Sequence, residues 1–182
     1  AFAAALAPLL AIAPAEVERR VAMVMSGGTE GVLSPHATIF ARVPDTAATP
    51  CGGVKRLAIG VAATPDFAPH RIGRRAQIEQ TASAVHAAMQ DAGIEQTEDL
   101  HWVQIKCPLL TAERVQAARR AGHDVVTDSA YKSMAYSRGA SALGVAVATG
   151  EIDAADAEAA VLTDWSRASG VASSSAGIEL QN

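Results

Sequence analysis

The sequence predicts a mixed fold of strands and helices, divided into a short first part and a longer second part. Hydrophobic residues make up 49% of the 182 residues, which is enough to fill a core. In the second part, short apolar runs alternate with longer segments of helical periodicity. A stretch rich in proline and glycine separates the two parts. Either parallel βαβ units or a small α+β sheet packed by helices would give this alternation, and periodicity does not separate them.

The first part predicts two helices and two strands. Its apolar, alanine-rich start is typical of a helix, interrupted at Pro8 or ended before Pro14. Pro14 itself suits the first turn of a short second helix, with acidic residues nearby. Short apolar runs then indicate strands on either side of a glycine-rich turn. The predicted elements are helices over 1–10 and 14–18, strands over 21–25 and 38–43, and the turn over 26–31.

A linker is predicted where residues 44–54 combine two prolines and two glycines with small polar residues. Such a composition favours neither a helix nor a central strand. We therefore predict that residues 1–45 form the end of a first domain, that 46–54 form the linker, and that 55–182 form a second domain.

The second part predicts three strands and four helices. Gly93 and Gly122 suit helix C-termini, Thr111 and Asp153 suit helix N-termini, and Gly139 suits an interruption of the longest helix. The predicted strands are 55–63, 99–107 and 170–180, and the predicted helices are 71–92, 111–121, 130–149 and 153–164.

Charge and composition exclude several classes of partner. The formal net charge is −4, and the tight cationic cluster of Arg71, Arg74 and Arg75 is interpreted as a solvated helix start, so nucleic acid is not an expected partner. Two cysteines, Cys51 and Cys107, are too few for a disulfide framework, which favours a reducing, cytoplasmic compartment.

No apolar run is long enough to span a bilayer, and we expect no membrane partner. Residues 1–13 are apolar but lack the positive region that begins a signal peptide, so they are interpreted as the tail of an amphipathic helix.

Two similar serine turns carry the first hint of chemistry. Ser26-Gly27-Gly28-Thr29-Glu30 and Ser175-Ala176-Gly177-Ile178-Glu179 share the pattern Ser-(Gly/Ala)-Gly-x-Glu, each after an apolar run. A repeated turn of this kind indicates a duplicated unit that places a hydroxyl and backbone N–H groups at matching points. A nucleophile and an oxyanion site require that arrangement. A plain turn or loop would also explain three consecutive serines.

Lys106 and Arg138 are the other candidates. A lysine at the end of an apolar strand is uncommon, and in its neutral form its amine could accept the proton of a serine. Arg138 lies in an alanine- and glycine-rich segment with little acid nearby and could present its planar fork to a carbonyl or carboxylate. A strand-end lysine in solvent and an exposed helix arginine are the simpler interpretations. Cys107 is interpreted as a core cysteine, and the five scattered histidines form no metal-binding pair.

Four blocks of sequence resemble the cyanuric acid hydrolase and barbiturase family of ring-opening amidohydrolases. Together they extend over essentially the whole chain, in the family's order. The resemblance favours cyanuric acid over barbituric acid as the substrate. The blocks are 25–36 (MSGGTEGVLSPH), 103–110 (VQIKCPLL), 134–144 (MAYSRGASALG) and 174–180 (SSAGIEL).

The resemblance implies an α+β fold of three repeated sheet-and-helix domains around a pseudo-threefold axis, with the active site on that axis. This chain would hold about one and a half repeats. It implies that Ser175 and Lys106 form a catalytic Ser–Lys dyad, and that Ser26, Gly27, Arg138 and Ala176 bind a small cyclic imide. The implied reaction opens cyanuric acid to carboxybiuret, which loses carbon dioxide to give biuret, a step of s-triazine degradation.

The resemblance also implies what this chain would lack. Family members are longer, so the first domain's lysine and arginine and the whole third domain are expected outside this sequence. We expect no cofactor in this chain, because the family's structural metal site would lie in that third domain. A homo-oligomer is expected for the complete enzyme. An incomplete, non-catalytic assembly module and a barbiturase remain the alternatives.

Overall fold

The computed structural model describes residues 2–24, 37–42 and 57–177. These residues form helices and one small sheet, and the predicted α+β class is confirmed. Three single 3₁₀ turns lie at Pro69–Arg71, Thr97–Asp99 and Trp165–Arg167. The helices and strands are α1 (Phe2–Leu10), α2 (Pro14–Arg20), α3 (Arg75–Ala92), β1 (Val103–Cys107), α4 (Ala112–Arg120), α5 (Ala130–Ala148), α6 (Ala154–Ala160) and β2 (Ala172–Ala176).

The sheet consists of β1 and β2, which run parallel. Parallel strands need a long crossover, and here helices α4, α5 and α6 all lie between them in sequence. Helix α5 packs against both strands, so one face of the sheet is covered by this helix.

Helices α3 and α5 form the centre of the core and approach each other closely. Gly144 of α5 makes this possible, because a Cβ atom there would lie 2.6 Å from Thr81 Cβ and 2.8 Å from Ile78 O of α3. Ile78 is fully buried at this crossing, and Leu143 and Ala140 are buried beside it together with residues of α6. The small residues of α5 therefore fix how near the two helices lie.

A second apolar cluster joins this helix pair to the sheet. Val85 and Met89 of α3 and Val145 of α5 are buried together. Val103 and Ile105 of β1 pack against them from one face of the sheet. This contact sets the height of the sheet above α5 and thereby positions the residues at the ends of both strands.

Three predicted strands are wrong over the residues that the structure describes. The segments concerned, 21–24, 37–42 and 57–63, have no strand hydrogen bonding. Their apolar residues are largely exposed, with Leu57 at 84% and Ile39 at 76% of full exposure. A strand needs a partner for its backbone groups, and within the described ranges the sheet contains only β1 and β2.

Strand β1 begins later than predicted, because a 3₁₀ turn occupies residues 97–99, and β2 is shorter than the predicted 170–180. Helix α3 likewise begins after a separate 3₁₀ turn rather than at residue 71.

The remaining helices match their predictions with two corrections. Helix α1 follows the second of its two alternatives, since it continues through Pro8 and ends at Leu10, before Pro14. Pro8 is exposed, so water can donate to the helix carbonyl that its missing N–H leaves without a partner. Helix α5 is not interrupted at Gly139, since that residue is buried where the helix packs near Leu162. Helix α6 ends at Ala160 rather than near residue 164.

The predicted caps are largely confirmed. Thr111 accepts a hydrogen bond from Arg114 N at the start of α4, and Gly93 has the left-handed φ of 69° that ends α3. Asp153 occupies the N-cap position of α6 without a side-chain cap bond.

The predicted linker, 46–54, lies outside the described residues, so the predicted domain division stays a prediction.

Candidate active site

The parallel register places the two predicted dyad residues side by side. Lys106 of β1 and Ser175 of β2 are direct Cα partners. Neighbouring strands lie about 4.8 Å apart, and paired residues of a parallel ladder project from the same face of the sheet. Lys106 and Ser175 are therefore neighbours on one face of the sheet, although 69 positions separate them in sequence.

This face is the one that points away from α5. Side chains alternate along a strand, so Ile105 and Cys107 lie on the α5 side while Lys106 lies on the other. The contacts agree, because Ile105 packs into the core and the Ser174 hydroxyl donates to Arg138 O of α5 at 3.2 Å. Lys106 and Ser175 are both only half-buried on the opposite face.

Arg138 of α5 is tied to β2 by two reciprocal hydrogen bonds. Its Nε donates to Ser174 O at 3.1 Å, and Ser174 Oγ donates back to the Arg138 carbonyl. These bonds hold the guanidinium next to the end of β2. Because a guanidinium has five N–H donors, the use of Nε leaves the terminal nitrogens of the fork for a ligand.

A small cavity of about 170 Å³ lies at this point. Its walls bring together three of the residues predicted for the site, Ser175, Ala176 and Arg138, with Met134 and Ser174. A larger cavity of about 280 Å³ lies elsewhere, against α6, and contains none of the predicted site residues. We take the smaller cavity as the candidate site because it joins the serine turn to the arginine.

Cys107 lies behind the site and is almost completely buried. Its Sγ donates to Ser175 O at 3.4 Å. Burial raises the pKa of the Cys107 thiol, and side-chain hydrogen bonds from Ser137 and Ser141 oppose that rise only in part. A buried thiol of raised pKa is a poor nucleophile, so its interpretation as a core cysteine is confirmed.

Two predicted site residues, Ser26 and Gly27, lie outside the described residues, so their part in the site stays a prediction. The prediction had not included Met134 or Ser174. Ser174 could have been found from the alternation of the serine run, since one of three consecutive strand serines must face the helix. Met134 is four residues before Arg138 and so shares its side of α5.

Other predictions for charged residues concern the surface. Arg71, Arg74 and Arg75 are exposed, as expected of a solvated helix start. His70 and His123 stack with ring centroids 4.0 Å apart, although neither was predicted to pair.

Across the described ranges, no group of three or more His, Cys, Asp or Glu side chains could hold a metal ion. The same ranges contain no helix that is both long and apolar enough to cross a membrane.

Comparison with known proteins identifies the family of this chain. A model of the amidohydrolase ring-opening protein family matches residues 1–182, and the chain belongs to this family. Among curated relatives, cyanuric acid amidohydrolase from Bradyrhizobium diazoefficiens is 58% identical over 183 aligned residues, which cover 100% of this chain and 49% of the relative. Cyanuric acid amidohydrolase from Pseudomonas sp. strain ADP is 56% identical, covering 100% of this chain and 50% of the relative.

Two solved structures of cyanuric acid hydrolases also match this chain. A cyanuric acid hydrolase structure superposes with a TM-score of 0.92 at 57% identity, covering 98% of this chain and 49% of that one. The cyanuric acid hydrolase from A. caulinodans superposes with a TM-score of 0.65 at 49% identity, covering 68% and 36%. The chain thus spans about half the length of the relatives it matches.

Proposed function

We propose that the protein to which this chain belongs hydrolyses a cyclic amide bond, with cyanuric acid as its substrate. The observation that carries the proposal is the register of β1 and β2, which pairs Lys106 with Ser175 beside the cavity that Arg138 lines. The relatives' names favour cyanuric acid over barbituric acid.

Ser175 is the proposed nucleophile and Lys106 the proposed general base. The unprotonated amine of Lys106 takes the hydroxyl proton while Ser175 Oγ attacks a ring carbonyl carbon. The ring C–N bond then breaks, and its nitrogen leaves with a proton. Water hydrolyses the resulting acyl-serine, releases carboxybiuret and restores the hydroxyl. Carboxybiuret is a carbamate, and its loss of carbon dioxide gives biuret.

Backbone N–H groups at the end of β2 are the proposed donors to the developing oxyanion. Gly177 N donates to Cys107 O, so it points toward β1. Amides alternate along a strand, and Ala176 N–H therefore points away from β1, where a ligand oxygen could accept it. Arg138 would bind a second ring carbonyl through its remaining N–H donors, and Ser26 and Gly27 would contact a third.

The remaining parts of the proposal concern the protein's setting. We place the reaction in the cytoplasm, as a step of s-triazine degradation, in a homo-oligomeric enzyme. The mechanism uses only protein groups, and we propose no cofactor in this chain.

Ser175→Ala in the full-length protein tests the nucleophile. Because removal of a nucleophile abolishes the covalent step, kcat on cyanuric acid should fall by at least about 10³-fold. Ser173→Ala is the matched control: Ser173 lies two residues earlier on the same face of β2, opposite Gln104, and lines no part of the cavity. Its kcat should stay within about twofold of the parent.

Two outcomes would contradict the proposal. A Ser175→Ala variant with near-normal kcat would remove Ser175 from the nucleophile role. A higher kcat/KM on barbituric acid than on cyanuric acid would contradict the proposed substrate but leave the proposed Ser–Lys mechanism intact. Gel filtration and an activity assay on the 182-residue chain by itself would show whether it acts alone or only as part of a larger assembly.

A further inference from the structure

A buried glutamine on the apolar face of α3 begins a chain of hydrogen bonds that leads to the candidate nucleophile. Gln77 has no exposed surface, although it lies next to Ile78 at the centre of the helix contact. A buried polar side chain is costly unless its hydrogen bonds are made. Its partners therefore indicate what the protein gains from placing an amide there.

The orientation of the Gln77 amide is fixed at one end. Its Oε1 accepts from Gly73 N at 2.7 Å, so the amide nitrogen must point the other way. Gln77 Nε2 then donates to Ser137 Oγ at 2.9 Å and to Ser141 Oγ at 3.0 Å on α5. Both hydroxyls accept from the amide, which leaves their own protons to donate onward.

The onward partner is the thiol of Cys107. Hydrogen bonding from the Ser137 and Ser141 side chains lowers the pKa of this thiol, and the thiol donates to Ser175 O at 3.4 Å. The donors and acceptors thus follow one direction, from the Gln77 amide through two hydroxyls and the thiol to the carbonyl of Ser175. Ser137 and Ser141 lie on either side of Arg138, so the same bonds fix the rotation of α5 that carries this arginine.

We propose that this buried hydrogen-bond chain positions Ser175 and Arg138, with Gln77 and Cys107 as positioning residues. The inference rests on the proposed function for the catalytic role of Ser175. The chain reaches the backbone of Ser175 from the α5 side, while the hydroxyl projects from the other face toward Lys106. It therefore fixes the site without contacting the substrate.

Two pairs of variants in the full-length protein test the proposal. Gln77→Leu removes the first donor, and Gln80→Leu makes the same change one turn later on α3. Gln80 is a suitable control because its Oε1 is buried without a hydrogen-bond partner among the described residues. At the other end, Cys107→Ala removes the thiol donor, and Cys107→Ser retains a donor at the same place.

Amide hydrogen exchange in β2 and steady-state kinetics are the measurements. Gln77→Leu and Cys107→Ala should speed exchange of the amides of residues 173–177 and lower kcat at least about tenfold with KM within about threefold, since a displaced nucleophile slows the chemical step. Gln80→Leu should change neither quantity, and Cys107→Ser should restore both. If Gln77→Leu does not fold, the two Cys107 variants give the same test.

Unchanged exchange in β2 in Cys107→Ala would overturn the proposal, as would equal exchange in Cys107→Ser and Cys107→Ala. Faster exchange throughout the molecule would also overturn it, because it would show general destabilisation instead of positioning. Ser175→Ala decides the proposed function separately. If that variant stays active while Cys107→Ala loosens β2, the proposed nucleophile fails and the positioning of the β2 backbone stands.

Discussion

Two segments of this chain have the same strand-like pattern, yet only one forms a strand. Residues 57–61 place Leu57, Ile59 and Val61 on alternate positions, as residues 103–107 do with Val103 and Ile105. The second segment is β1, half-buried against α3 and α5. In the first, Leu57 is 84% and Val61 56% exposed.

The difference lies in what each segment contacts. Strand β1 has a hydrogen-bonded partner along its full length and a helix beneath it. Residues 59–61 contact the end of α3, where Asp91 accepts from Val61 N at 3.0 Å and pairs with Arg42 at 2.9 Å. Arg42 also donates to Ile59 O at 3.4 Å. An alternating pattern therefore specifies which side chains share a face, while a partner decides whether a strand forms.

The largest expected effect comes from filling the helix contact beneath β1. Gly144→Ala places a Cβ within 2.6 Å of Thr81 Cβ and 2.8 Å of Ile78 O, and two packed helices cannot separate locally. Gly139→Ala is the matched control on the same helix, with its nearest contact at an ordinary 3.5 Å. Relative to this control, Gly144→Ala should lower the free energy of unfolding by about 1–3 kcal/mol, measured by urea denaturation.

Both variants gain the same helix propensity of roughly 1 kcal/mol, so their difference isolates the overpacking. Equal stability of the two would show that α3 and α5 can move apart, which would contradict a rigid support under β1.

A smaller effect is expected at the exposed segment. Gly60→Ala would place a Cβ 1.8 Å from Ala88 O, a worse overlap than at Gly144. Leu57 and Val61 are largely exposed, so the segment can lift away from α3 and avoid the strain. We expect a lower free energy of unfolding, but a smaller loss than for Gly144→Ala. A larger loss would mean that this segment is as firmly held as β1.

The smallest effect is expected from Asp91→Ala. The exposed Asp91 carboxylate accepts hydrogen bonds from Val61 N and from Arg42. The hydrogen bond from Arg42 keeps the pKa of this carboxyl below its ordinary value. Because the pKa of Asp91 is lower in the folded protein, its contacts with Val61 and Arg42 stabilise the fold at any pH above the ordinary carboxyl pKa. This stabilisation is lost as the pH falls through the lowered pKa of the folded state. The variant should speed exchange of the Val61 amide at neutral pH.

Global stability should barely change in Asp91→Ala, because exposed ion pairs contribute little. Unchanged exchange at Val61 would show that the segment is held by other contacts. Asp91→Asn, which keeps an acceptor, is the control and should retain part of the protection.

The contrast between residues 57–61 and β1 explains which parts of the structure the sequence predicts. Helices were predicted well because their hydrogen bonds are local and their ends carry signals, as at Thr111 and Gly93. Strands at 21–24, 37–42 and 57–63 were wrong because pairing depends on distant residues that a local pattern does not contain. The pairing of Lys106 with Ser175 came from a family resemblance, and no local signal could have supplied it.

Part of the site could have been predicted from residue types. Arg138 and Ser175 stand out in small-residue surroundings, and Ser137 and Ser141 lie one helical turn apart on either side of the arginine. Gln77 occupies the apolar stripe of α3, where a polar residue is out of place and so points to a buried network. The partners of Gln77, however, lie in the turn before α3 and on α5, and they become evident only in the folded protein.

The crossover between β1 and β2 has a consequence for how the protein is made. The contact between Cys107 and Ser175 joins residues 68 positions apart, with α4, α5 and α6 between them. Closing so long a loop is entropically costly until the intervening helices have packed. We expect β2 to dock late, after α5 has folded onto α3. During synthesis, the pairing of Lys106 with Ser175 can therefore arise only after the last residues of this strand have left the ribosome.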